Sequence, residues 1–239
     1  MDYLLLLSSI ALGAISVFLF RLYEPKVVKI LNAFTGAYLL CLTFLHLLPE
    51  LYHSEFGASA SSEVSLGVLI LTGFFAQVTL DVISMGVEHG HVHHVHGGLP
   101  IGIMGGLCLH ALIEAMALGN PATHYDPASR RLLLYSIVLH NFPVSIALLG
   151  MLLQSGMKTR RALILLGVFA AMAPLGLSIS AHSALAAHSR QLTAIVIGIF
   201  MHISTTILFE SSDIHRFNLA KLAAILIGTS LGFLSLMLH

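Results

Sequence analysis

A histidine and a glutamate four residues apart, His110 and Glu114, lie within an otherwise apolar run of the chain. Residues at positions i and i+4 share one face of a helix, and imidazole and carboxylate are both good ligands for borderline divalent metals. A carboxylate deep in a membrane costs about 2.5–3.5 kcal/mol on insertion scales, so it needs a compensating partner. A second imidazole, that of His140, occurs in the next apolar segment. These three side chains predict a metal site between membrane helices.

The composition is that of a membrane protein. Hydrophobic residues make up 57% of the 239 residues, charged residues only 9%, and the mean hydropathy is +0.93. Soluble domains carry about 25% charged residues, so the composition argues against a soluble globular domain. The formal net charge is zero, which gives no reason to expect a nucleic-acid partner. Cys41 and Cys108 both lie in apolar segments, so no disulfide framework is indicated.

Apolar segments of about twenty residues, the length that crosses a bilayer as a helix, occur eight times. We predict an all-α polytopic membrane protein in which one transmembrane domain covers residues 1–239. The predicted spans are 3–20, 27–49, 65–87, 99–119, 132–154, 162–182, 191–210 and 217–238. With the N-terminus outside, eight of the eleven Lys and Arg residues lie at cytoplasmic helix ends and three at outer ends. Both termini are therefore predicted to be extracytoplasmic, in a plasma membrane or a bacterial inner membrane.

This topology places the candidate ligands at similar depths in the membrane. Glu114 and His140 fall near one level, and His110 lies one helical turn below them. Pro143 removes a backbone donor three residues after His140 and is expected to kink the fifth helix. Broken helices in mid-membrane commonly line substrate sites, because their freed carbonyl groups need partners. Three ligands from two helices are thus expected to converge on one ion.

Short motifs occur in a distinctive order along the predicted helices. They are His46-Leu47-Leu48-Pro49-Glu50 in the second helix, Gly73-Phe74-Phe75 and Asp81 in the third, His110, Glu114, Ala115, Ala117 and Gly119 in the fourth, His140 in the fifth, and Ala173-Pro174-Leu175-Gly176 in the sixth. A histidine-rich segment separates the third helix from the fourth. In this order and in these helices, the motifs resemble those of the ZIP (Zrt/Irt-like) family of divalent metal transporters.

The resemblance implies a ZIP-like bundle of eight helices, with a metal site formed by the three side chains named above between helices four and five. It also implies an inverted repeat that relates helices one to three to helices six to eight. Members with two adjacent metal sites carry Asn after the fourth-helix His and Glu in the fifth-helix motif, where this chain has Ala111 and Val144. We therefore expect the prokaryotic-type branch with a single site. That branch usually has Lys after the fifth-helix His, where this chain has Asn141.

The resemblance implies transport of divalent cations into the cytoplasm by alternating access, with no enzymatic activity and no organic cofactor. Mixed imidazole and carboxylate ligation suits Zn²⁺, which we favour, as well as Fe²⁺, Mn²⁺, Co²⁺ and Cd²⁺. The expected partners are metal ions and the lipid bilayer, and a homodimer is left open. The alternative is an intramembrane zinc-dependent hydrolase, in which Asp81 would supply the acid. We prefer transport, because the chain has no His-Glu-x-x-His motif and that scheme leaves the Leu-Leu-Pro-Glu and Pro-Leu-Gly runs without a role.

Further polar residues within or beside apolar segments are candidates for the ion path or for accessory ligation. They are Asp81, Asn141, His46, Glu50, Glu88, His202 and Glu210. Asp81 has the alternative of pairing with Ser84 or Gln77 within its own helix. Asn141 either supplies an amide oxygen or satisfies the backbone near the proline of the fifth helix. The histidine and glutamate at the end of the second helix either capture an incoming cation, which we favour, or simply end the helix.

The segment 88–98 is rich in histidine and glycine. Its histidines are His89, His91, His93, His94 and His96. Such a composition is typical of metal-binding tracts and predicts a flexible cytoplasmic chelator rather than a shaped site. Two alternatives remain for its role: it senses or receives the transported ions, or it has little effect on transport.

Overall fold

The computed structural model describes residues 1–20, 24–53, 60–84, 101–121, 124, 126–210 and 219–237. Within these residues the chain forms eight long helices and no strand. In chain order they are α1 (Asp2–Phe20), α2 (Pro25–Leu42, continued by Thr43–Leu47 and Leu48–His53), α3 (Ala60–Ser84), α4 (Ile101–Met116), α5 (Pro127–Gln154), α6 (Thr159–Ala181), α7 (Ser189–Glu210) and α8 (Leu219–Met237). A short 3-10 helix, Ala184–His188, joins α6 to α7. The predicted all-α architecture is confirmed.

The described helices have the length and composition of membrane spans. Six of them are long and apolar enough to cross a membrane, and α4 and α8 are shorter apolar helices. Large hydrophobic side chains are exposed along α1, α3, α6 and α8. Apolar side chains on the outside of a helix bundle are expected where lipid surrounds it instead of water.

α5 begins at Pro127, several residues before the predicted span that starts at 132. The Asp126 side chain accepts a hydrogen bond from the backbone N–H of Ser129 and so caps the helix. Burial alone would raise the pKa of the Asp126 carboxyl, but hydrogen bonds from Ser129 and Ala128 hold it below its ordinary value. The apolar pattern misses this polar first turn because a cap, rather than burial, determines where the helix starts.

The last part of α2 departs from a regular α-helix. Residues Thr43–Leu47 form a π-helical turn, after which an α-helix runs through Pro49 to His53. A proline inside a helix lacks the N–H that would bond to the carbonyl four residues earlier, and a wider turn accommodates such a defect. The helix therefore continues past this proline to His53, four residues beyond the predicted end of the span at residue 49.

The helices pack as two groups of four. Bundle A consists of α1, α4, α5 and α6, and bundle B consists of α2, α3, α7 and α8; the bundles meet mainly where α3 contacts α4 and where α2 contacts α5. An inverted repeat would pair α1 with α6, α2 with α7 and α3 with α8, and it would also pair α4 with α5. A contact between α1 and α5 then corresponds to one between α6 and α4. Likewise, a contact between α2 and α8 corresponds to one between α7 and α3. All four of these pairs are in contact. These are the contacts expected from the inverted repeat that the family resemblance implies, and the repeat itself stays a prediction.

The apolar core is divided into two clusters along the helix axes. In α4, one cluster extends to Ala111 and the other begins at Ala115, and in α5 the break falls between Ile137 and Val144. The break therefore lies at a similar level in two neighbouring helices. The candidate ligand Glu114 lies within it, so a polar layer separates the two halves of the core.

Close contacts between helices depend on glycine at several positions. A Cβ atom on Gly176 of α6 would overlap the carbonyl oxygen of Leu112 in α4, and one on Gly73 of α3 would overlap the carbonyl oxygen of Ile195 in α7. No side chain fits at these two positions. Helix α6 therefore contacts α4 backbone to backbone, beside the residues of the candidate site.

Replacing Gly176 with alanine should destabilise the fold, because the added methyl group has to push α4 and α6 apart. Overpacking of this kind costs about 1–3 kcal/mol, which should appear as a lower Tm in thermal unfolding of the purified protein in detergent. The matched change Gly167→Ala lies on the same helix with nothing within 4 Å of the new atom. It should leave the Tm unchanged or slightly raised. Equal Tm values for the two variants would contradict the close-packing role of Gly176.

Candidate metal site

The C-terminal part of α4 holds the first two candidate ligands. His110 Nε2 lies 3.0 Å from Glu114 Oε1, as the spacing of four residues leads one to expect. The helix ends two residues after Glu114, and Gly119, with a φ of 51°, turns the chain into the loop that leads to α5. Arg130 Nε donates to the carbonyl oxygen of Leu118 at 2.8 Å. This bond satisfies a carbonyl group in the turn that follows the helix.

His140 reaches the same place from α5. Its ring centroid lies 5.8 Å from that of His110, at an interplanar angle of 81°. One potential ligand atom from each of His110, Glu114 and His140 lies within 4.8 Å of the others. Two metal bonds of about 2.0–2.2 Å span at most about 4.4 Å, so small side-chain movements would close this geometry around one ion. The structure thus brings together the three residues that the sequence singled out.

The three side chains are almost completely buried: the exposed fraction is 1% for each histidine and 0% for Glu114. Within the described part of the chain, Glu114 Oε2 has no hydrogen-bond partner. A buried carboxylate that lacks compensation is strongly unfavourable in a low dielectric. Its position near the C-terminal end of α4, where the helix dipole is negative, adds to that penalty and favours a cation. The electrostatics of the site therefore favour binding of a positive ion.

Gln77 of α3 contacts the site from bundle B. Its Oε1 lies 3.0 Å from Nδ1 of His110, and its side chain is fully buried. When Nδ1–H donates to this oxygen, Nε2 carries the lone pair and faces Glu114, which is the tautomer that a metal ligand needs. Sequence reasoning considered Gln77 only as an alternative partner for Asp81. The one signal for it was an amide inside an apolar helix.

Asp81 and His202, which the sequence suggested separately as path residues, come together between α3 and α7. Asp81 Oδ2 lies 3.5 Å from Nε2 of His202, and both side chains are partly exposed. The His202 ring also packs edge-on against Phe74, with centroids 5.2 Å apart. A partner for the Asp81 carboxylate thus comes from another helix, α7, whereas the alternative in the sequence analysis considered partners within the same helix.

Three other suggested residues lie in the described part of the chain. His46 Nε2 lies 3.2 Å from Ser235 Oγ of α8, and Glu50 is half-buried near the end of α2. Asn141 is 1% exposed, and neither polar atom of its amide has a hydrogen-bond partner among the described residues. The suggested positions that lie outside the described part are Glu88, His89, His91, His93, His94, His96 and the side chain of Glu210. Their roles stay predictions.

The fold is that of a polytopic membrane protein whose apolar helices surround a buried cluster of two imidazoles and one carboxylate. Such a cluster could hold a metal ion. The family model described as ZIP Zinc transporter matches residues 99–236, which is more than half of the chain. The chain therefore belongs to the ZIP zinc transporter family, as its motifs predict. Members of this family transport divalent metal ions and are transporters rather than enzymes. The matched region includes His110, Glu114 and His140.

Zinc titration of the purified chain, with its five loop histidines replaced by serine, should reveal one tight site. Glu114→Gln and His140→Gln should each raise the zinc Kd by more than about 100-fold, above the range of about 10–100-fold that is typical when outer-shell partners of a metal are lost. His188→Gln changes an exposed histidine of the 3-10 helix and should bind zinc like the unsubstituted protein. Unchanged affinity in both site variants would exclude this cluster as the metal site.

Proposed function

We propose that this protein carries Zn²⁺ or a similar divalent cation across the membrane, with His110, Glu114 and His140 as the ligands of the ion. The observation that carries the proposal is the buried Glu114 carboxylate, whose Oε2 has no hydrogen-bond partner among the described residues. A divalent cation shared with two imidazoles offsets that charge. A purely structural pair between His110 and Glu114 would engage only one of the two carboxylate oxygens.

The ligand set suits an ion that is exchanged rather than one that is retained. Three protein ligands leave a fourth coordination position open for water, or for the amide oxygen of Asn141. Imidazole and carboxylate accept Zn²⁺, Fe²⁺, Mn²⁺, Co²⁺ and Cd²⁺, whereas Cu(I) prefers sulfur. Because Ala111 and Val144 cannot act as side-chain ligands, the protein carries one ion in a single site.

Alternating access follows from movement of bundle A against bundle B. All three ligands lie on α4 and α5 of bundle A, so the ion travels with that bundle. The boundary formed by α3–α4 and α2–α5 then opens the site to one side of the membrane and afterwards to the other. The Lys and Arg distribution supports an orientation with both termini outside and the cytoplasm as the receiving side.

Two pairs of polar residues are assigned to the path of the ion. Asp81 and His202, 3.5 Å apart, receive the ion on the cytoplasmic side, while His46 and Glu50 attract it from outside. Each pair combines an imidazole with a carboxylate, which are the same donors that the central site uses. The histidine-rich segment 88–98 follows α3 in the chain and takes up the released ion.

The hydrolase alternative requires an acid or a serine beside the metal. Asp81, the residue considered for that role, contacts His202 of α7. The other members of the family are transporters. Transport therefore accounts for both the acidic residue and the family, whereas hydrolysis accounts for neither.

Protein reconstituted in liposomes that contain a Zn²⁺-sensitive dye should show saturable zinc influx, and Glu114→Gln should reduce the initial rate more than about tenfold. The reason is that the ion loses its one charged ligand, and a tenfold effect corresponds to only about 1.4 kcal/mol. Glu24→Gln is the matched control: it makes the same chemical change at an exposed position before α2 and should leave the rate unchanged.

Asp81→Asn in the same liposomes separates the path from the site. It should slow the influx while leaving the zinc affinity unchanged. Stoichiometric zinc binding with no flux in the unsubstituted protein would contradict transport. Flux that persists in full in Glu114→Gln would contradict the assignment of the ligands.

A further inference from the structure

Gln77 is a buried amide on α3 that contacts the metal site without belonging to the ligand cluster. Its exposed fraction is 0%, and its Oε1 lies 3.0 Å from Nδ1 of His110. The other nitrogen of that ring, Nε2, lies 3.0 Å from Glu114 Oε1. The imidazole is thus held between an amide on one side and a carboxylate on the other.

The position of the ring proton determines which nitrogen of His110 can bind a metal. A neutral imidazole has one N–H, and an amide oxygen only accepts hydrogen bonds. The bond to Gln77 therefore requires the proton on Nδ1 and leaves the lone pair on Nε2, toward Glu114. Partners of this kind orient ligating histidines, and their loss typically lowers metal affinity about 10–100-fold.

The same hydrogen bond crosses from one bundle to the other. Gln77 lies on α3 of bundle B, whereas His110 lies on α4 of bundle A. One turn along α4, a Cβ atom on Gly106 would lie 2.9 Å from Ser84 Cβ and 3.2 Å from the carbonyl oxygen of Leu80, both on α3. The two helices are therefore in close contact beside the site, and a sliding movement between the bundles has to break the bond between Gln77 and His110.

From these contacts we infer that Gln77 is a positioning residue for His110, and that its hydrogen bond couples metal affinity to the relative position of the two bundles. In the conformation described here, the bond holds His110 in the tautomer that binds the ion. When bundle A moves, the bond is lost and the ion is held less tightly, which promotes its release. The inference rests on the proposed function, because it takes the three-residue cluster as the carrier site.

The test compares zinc affinity among variants of the full chain whose five loop histidines are replaced by serine. Gln77→Met preserves the length of the side chain but removes the acceptor, whereas Gln77→Glu retains an acceptor. Ser84→Ala removes a buried hydroxyl from the same helix and is the matched control. We expect Gln77→Met to raise the zinc Kd about 10–100-fold, and the other two variants to stay within about threefold of the unsubstituted protein.

Two further measurements separate positioning from a general structural role. The visible absorption spectrum of bound Co²⁺ reports on coordination geometry, and it should change in Gln77→Met but not in Ser84→Ala. In liposome flux, Gln77→Met should raise KM and leave kcat unchanged, because the movement itself does not need a bond that breaks in every cycle.

An unaltered zinc Kd and Co²⁺ spectrum in Gln77→Met would overturn the inference, and so would a lower kcat at unchanged KM. If Gln77→Met does not fold, Gln77→Glu decides the matter, since a Kd raised more than about tenfold there contradicts an acceptor role. The unsubstituted protein could show no flux while Gln77→Met still raises the zinc Kd. That outcome would overturn transport and leave the role of Gln77 intact.

Discussion

Burial of the Glu114 carboxylate is the constraint on which the rest of the site depends. The helix dipole at the end of α4 opposes a negative charge there, and a bilayer interior offers no water to solvate it. His110 meets one carboxylate oxygen, and His140 approaches from α5, so a cation placed among the three groups satisfies them all. The buried charge also accounts for the polar layer that divides the apolar core.

The helix arrangement explains how such a site is both buried and accessible. The proposed ligands belong to bundle A, while Gln77, Asp81 and His202 belong to bundle B, so an ion held by those ligands would lie at the boundary between two packed units. Glycines such as Gly73 and Gly176 hold helices together by direct backbone contact inside each bundle. Movement is therefore expected between the bundles rather than within them. The hydrogen bonds that cross the boundary between the bundles are the ones that such a movement would break.

Much of the fold and the centre of the site follow from local pattern. Long apolar runs specify the helices, and a histidine–glutamate pair at i, i+4 in such a run needs a compensating partner wherever it occurs. The lateral contacts do not follow in the same way. Gln77 meets His110, and Asp81 meets His202, only because particular faces of α3 turn toward α4 and α7. A helix that is apolar all round does not identify those faces, and a π-helical turn such as Thr43–Leu47 has no local signature beyond the nearby proline.

X-ray absorption at the zinc edge of the metal-loaded protein, with its loop histidines replaced by serine, tests the central claim most directly. If Glu114 and two histidines bind the ion, the first shell should contain nitrogen and oxygen at about 2.0–2.2 Å, with scattering from two imidazole rings and no sulfur. Glu114→Gln should alter that shell. A sulfur neighbour at about 2.3 Å would instead implicate Cys108, two residues before His110. Such a neighbour, or a spectrum that Glu114→Gln leaves unchanged, would contradict a site built on the buried carboxylate.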